Sequence, residues 1–149
     1  MKKNILYFTG FLLFAMVVNG CIKKDTEGPQ IQYISLNGLL GQDFQVAPGD
    51  SLRFTFTISD WNELNQMKAN IHAADDGHSH NGVTDTLPVN ANVGLWVDTR
   101  IIDLHGTTNT MSLDYVVPDT ISGIWHFEVQ AMDTFGNEAQ EVVVELDVQ

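Results

Sequence analysis

The chain has one cysteine among its 149 residues, and that cysteine stands at position 21. No disulfide can form within a single chain, so a packed core must hold the fold. Basic side chains are scarce: seven Lys and Arg face nineteen Asp and Glu, for a formal net charge of −12. Such an anion repels phosphate backbones and anionic membrane surfaces, which excludes nucleic acid as a partner. There is no internal repeat and no low-complexity segment beyond a short polar stretch after Cys21. A GxSxG nucleophile motif, a glycine-rich phosphate loop and a nucleophilic cysteine are all missing. The reading is therefore of a protein that is not an enzyme.

What is present begins with an address. Lys2 and Lys3 precede the apolar run "ILYFTGFLLFAMVV", which is too short and too weakly flanked to serve as a membrane span and reads as a secretory signal. It ends in "VVNGC", a small residue before a cysteine, which resembles the bacterial lipoprotein signal. Residues 1–20 are then a removed signal peptide and Cys21 the lipidated first residue. Residues 21–28 form the lipidated cysteine and a polar tether, and 29–149 the domain. All nineteen acids lie after Cys21, so losing Lys2 and Lys3 takes the net charge from −12 to −14. The partner at this end is a membrane, reached through acyl chains. "KKDTE" resembles the export signal of surface lipoproteins. The expected location is the outer membrane, on its cell-surface or periplasmic face.

The body reads as strands. "SLRFTFTIS" sets Leu52, Phe54, Phe56 and Ile58 against Arg53, Thr55, Thr57 and Ser59. "MKANIHA" alternates with Met67, Ala69, Ile71 and Ala73 inward, and Lys68, Asn70 and His72 outward. "WHFEVQA" puts Trp125, Phe127, Val129 and Ala131 inward, and His126, Glu128 and Gln130 outward. "MSLDYVV" and "EVVVELDV" follow the same rule. Period two with one polar face marks half-buried antiparallel strands. "QIQYISL" and "LWVDTRIIDL" supply further strands, the second with a slip at Ile101–Ile102 that predicts a bulge. "APGD", "VPDTISG" and "DTFGN" are turns, and Gly136-Asn137 supplies the positive φ of a tight connection. About seven strands in this length indicate an all-β, immunoglobulin-like antiparallel sandwich.

The chemistry concentrates in "IHAADDGHSHNG", Ile71 to Gly82. In immunoglobulin order the Leu52, Met67, Trp125 and Val142 runs are strands B, C, F and G, with C beside F. His72 and His126 then share the outer face of neighbouring strands, about 4.8 Å apart. His78 and His80, two residues apart, project to one side of an extended segment, and Gly77 and Gly82 let the loop fold back. His72, His78, His80 and His126 are the candidate metal ligands. Imidazoles suit Zn²⁺, with Cu²⁺ or Ni²⁺ as alternatives. Asp75 or Asp76 is a substitute ligand or an orienting acceptor, and His105 a reserve ligand. Asp60, Asp133 and Asn137 lie near strand ends where calcium could bind, or where they simply make turns. Trp61 and Trp96 offer a sugar-stacking surface, or Trp61 caps the core.

The combination of "IH", "DGHSH" and "GIWHFEV…DTFGN" behind a lipoprotein signal resembles an uncharacterised lipoprotein family, domain of unknown function 4625. The resemblance covers nearly all of the mature chain. It implies an immunoglobulin-like fold and places the family's strand-end, loop and strand histidines at His72, His78, His80 and His126. Trp125 stands where many relatives have tyrosine. The family implies no mechanism. The functional expectation is an envelope-anchored domain that binds a transition metal. The competing expectation is an adhesion module that touches an envelope protein or glycan, its histidine loop incidental.

Overall fold

The computed structural model describes residues 25–74, 79–80, 83–84 and 96–149, the two short pairs by their backbone only. The described residues form eleven strands and no helix. They are β1 (Gln30–Leu36), β2 (Leu39–Leu40), β3 (Asp43–Val46), β4 (Ser51–Ser59), β5 (Leu64–Ala73), β6 (Ser79–His80), β7 (Val83–Thr84), β8 (Asp98–Asp103), β9 (Thr108–Val116), β10 (Gly123–Asp133) and β11 (Val142–Val148). One sheet has the order β2-β1-β4-β9 and the other β3-β11-β10-β5-β8, with β6-β7 a separate small hairpin. The architecture is an immunoglobulin-like β-sandwich, and β5 lies beside β10 as strands C and F should.

The seven expected strands are β1, β4, β5, β8, β9, β10 and β11. The two sheets add β2 and β3, too short to show a period. Asn37-Gly38 makes the β1–β2 hairpin, with φ of 51° and 83° and Leu36 opposite Leu39. Positive φ at both central residues lets the turn follow the strand twist. β3 runs parallel to β11, so the sandwich is not wholly antiparallel. The bulge expected at Ile101–Ile102 is not there: β8 pairs with β5 in unbroken register, and Ile101 simply faces out, 63% exposed. Register shifts occur instead at Gln32/Ser35, where Tyr33 takes φ 57°, and at Met132/Asp133.

Alternation places the core. Phe54 of β4 stacks on Phe127 of β10, ring centroids 3.8 Å apart, and Tyr115 of β9 meets both edge-on. These rings join the two sheets, and the transfer of such apolar surface from water is the main stabilising term. Trp96 packs against Trp125 at 5.8 Å and is buried, so it belongs to the core. Trp61 is 58% exposed and lies outside the buried core. The two do not make a shared stacking surface.

The core is not the whole of the packing. Asp25 is buried, and its carboxylate accepts from the Glu27 amide and the Asn62 side chain. A β-carbon on Gly28 would lie 1.9 Å from the Glu138 carbonyl oxygen. Asp25 to Gly28, which read as part of the tether, are therefore seated on the sandwich. Gly28→Ala must push this segment off the Glu138 backbone and is expected to cost about 1–3 kcal/mol. Urea denaturation measures it, and an unchanged midpoint would show that the contact carries no stability.

Candidate metal centre

Five polar or charged residues are buried among those described: Asp25, His72, His126, Glu128 and Asp133. They fall into two groups at opposite ends of the β5–β10 ladder.

The first group is built by register. His72 lies directly opposite His126, and Glu128 follows two residues later on the same strand and face. The imidazole centroids are 5.6 Å apart with rings nearly perpendicular. One ligand atom from each of His72, His126 and Glu128 lies within 4.8 Å of the others. All three point away from the sandwich core, yet they are only 3%, 6% and 4% exposed. The strands were expected to be half-buried, with these residues on the outer face, but that face is covered at this end.

The hydrogen bonds orient the site. His72 Nδ1 lies 2.9 Å from the Ala73 carbonyl oxygen. A carbonyl only accepts, so Nδ1 carries the hydrogen. Nε2 then faces Glu128 Oε1 at 2.6 Å. That nitrogen and that oxygen are the two atoms that a metal cation would take between them. A backbone acceptor that fixes the far nitrogen of a ligand histidine is the usual supporting arrangement in metal sites. On its other side His126 lies opposite Glu145 of β11. Asn70, opposite Glu128, accepts from the Thr99 hydroxyl at 2.7 Å.

Of the four histidines expected from sequence, the structure brings His72 and His126 together. His78 lies outside the described residues, as do Asp75 and Asp76. His80 belongs to β6, with its backbone opposite Val83. His105 is exposed in the turn after β8, where Gly106 meets the start of β5, at the other end of the strand from His72. It takes no part in the cluster. Glu128 is the residue that sequence reasoning missed. It was placed on the outward face, two residues from His126, and that spacing was the available signal.

The second group is Asp25, Asp60 and Asp133, whose carboxylate oxygens also lie within 4.8 Å. Asp133 accepts from the amides of Phe135 and Asn137 and from the Asn137 side chain, all at 2.7–2.8 Å. Asn137, expected beside Asp60 and Asp133, is thus spent on Asp133. Burial pushes the Asp25 carboxyl up. The Glu27 amide, then the Asn62, Asp133 and Trp61 side chains, outweigh it and hold the carboxyl below its ordinary range. This group reads as turn chemistry that fastens the N-terminal segment.

The family that matches residues 19–148 is Domain of unknown function (DUF4625). The chain belongs to this family. No curated protein matches it. Among solved structures, this DUF4625 chain is similar to a Niemann-Pick type C2 protein from Japanese carpenter ant. The TM-score is 0.51 at 7% identity, over 84% of this chain and 96% of that one. It is also similar to the PKD domain of an M14-like peptidase from a Thermoplasmatales archaeon, with TM-score 0.47 and 13% identity over 83% and 98%. An AA10 lytic polysaccharide monooxygenase from Streptomyces lividans gives TM-score 0.43 and 14% identity over 74% and 62%. At these identities the likeness of the DUF4625 domain to known structures is one of fold alone.

Proposed function

We propose that this DUF4625 domain is an envelope lipoprotein, anchored through Cys21, that binds a transition metal ion through His72, His126 and Glu128. The observation that carries the reading is the register that sets two imidazoles opposite each other with a carboxylate one pleat away, all three buried. Two nitrogens and one oxygen suit Zn²⁺ best, with Cu²⁺ and Ni²⁺ as competitors. His78 and His80 are candidates for the fourth ligand, since zinc is usually four-coordinate. The role is capture or handling of the metal at the outer membrane, without catalysis.

Calorimetric titration of Zn²⁺, Cu²⁺ and Ni²⁺ into the metal-free protein tests this. One-to-one binding weakened about 10–100-fold or more by His72→Ala and by His126→Ala supports one shared site. Binding indifferent to His126 would leave an adhesion module for a protein or glycan as the better account.

The same titration has a pH arm. Ligand imidazoles must be unprotonated, and the ordinary imidazole value is about 6.5. Protons compete with the ion below that value, so affinity is expected to fall from pH 7.5 to 5.5. Equal affinity at both would mean that histidine is not a ligand.

A further inference from the structure

We propose that the Asp25 end of the sandwich rests on the lipid surface, with Trp61 and Phe135 in the headgroup layer and the metal centre held at the far end. This rests on the reading of Cys21 as the lipid anchor, and it concerns how the domain stands once anchored.

The argument starts from chain length. Only Ile22, Lys23 and Lys24 separate Cys21 from Asp25. Four residue steps reach at most roughly 14 Å. The polar layer on each side of a bilayer is about 5–8 Å deep. A free tether would relax this limit, but Asp25 is not in one. It is buried, bonded to the Glu27 amide and the Asn62 side chain, and followed by Gly28 against the Glu138 backbone. The anchored cysteine therefore cannot be far from this end of the domain.

The same end carries the aromatic side chains suited to a lipid interface. Trp61 lies between Asp60 and Asn62, and its indole helps to hold down the Asp25 carboxyl. Phe135 lies in the turn capped by Asp133. The Thr134 amide donates to the Glu63 carbonyl at 3.0 Å and ties the two loops together. Trp61 is 58% exposed and Phe135 61%. Aromatic rings on rigid loops beside an acyl anchor match the headgroup region, where tryptophan is favoured. The exposed Glu27 and Glu63 offset Lys23 and Lys24 beside the anchor, so a zwitterionic surface is enough to receive this end.

The consequence for the metal centre follows from the ladder. Asp133 pairs with Leu64, and His126 with His72. Eight residues of β5 separate the two, roughly 27 Å along the strand. Anchoring at one end places the buried His72, His126 and Glu128 at the end away from the membrane.

The test uses the full chain isolated from membranes, its Cys21 adduct checked by mass, in phosphatidylcholine vesicles with shallow brominated acyl chains. Trp96 and Trp125 are buried, at 7% and 0% exposure, so contact quenching reads Trp61. The expected result is a loss of emission relative to unbrominated vesicles, abolished by Trp61→Phe and reduced by Asp25→Ala, which frees the segment. Equal emission in both vesicles, with the acyl mass present, overturns the proposal and points to a protein covering this end. A chain without the acyl mass overturns it differently, by removing the anchor.

Discussion

Glu128→Gln is expected to weaken Zn²⁺ binding about 100-fold while leaving the apo fold intact. Glutamine keeps the size of the side chain and can still bond His72 Nε2, which lies 2.6 Å from Glu128 Oε1. What it loses is charge. A carboxylate meets a divalent cation with a full negative charge, and in a site 3–6% exposed that charge is poorly screened. An amide oxygen is a weak substitute. Loss of a ligand or its support typically costs 10–100-fold or so in affinity, and here the lost group is also the only carboxylate of the described cluster. Calorimetry gives the affinity, and the urea midpoint of the apo protein reports the fold. If the variant binds Zn²⁺ as tightly as the parent, Glu128 is a structural partner of His72 and no ligand.

Phe127→Ala is expected to be the most destabilising of the substitutions considered, by about 3–5 kcal/mol. Phe127 is fully buried, stacks on Phe54 at 3.8 Å and meets Tyr115 and Phe56. It therefore bridges the two sheets. With no disulfide to constrain the unfolded chain, that loss is a large share of the roughly 5–15 kcal/mol that a domain has. Urea denaturation without metal reads it directly. Phe127 also sits between His126 and Glu128 in the chain, on the opposite face. The strand that it pins is the one that aims His126 and Glu128. Saturating Zn²⁺ should recover part of the lost stability, because an ion that binds only the folded state raises it. A cost below about 1 kcal/mol would mean that the sandwich closes without this ring.

The strands were legible because one face of each is buried and a period of two shows it. The order of β5 and β10 followed from the immunoglobulin topology, and His72 and His126 were placed on one face for that reason. Three things were not legible. Alternation says which face a residue takes, not whether that face is covered, so the burial of His72, His126 and Glu128 was missed. Glu128 itself passed for a solvated strand residue, because a carboxylate on an outward face is ordinarily just that. Asp25 sits in a polar run, and only its distant partners Asn62 and Asp133 show that it is packed. The parallel partnership of β3 with β11 depends on four residues and a contact about a hundred positions away. Asn37-Gly38 is a different case. It carries a strong local turn signal that the strand reading passed over.

The most direct test is X-ray absorption at the zinc edge on the protein loaded with one equivalent of Zn²⁺. The account predicts nearest nitrogen and oxygen scatterers at about 2.0–2.1 Å, with the more distant scattering pattern of at least two imidazoles, one of them lost in His72→Ala and one in His126→Ala. A spectrum of oxygen scatterers alone, unchanged by either substitution, would contradict it.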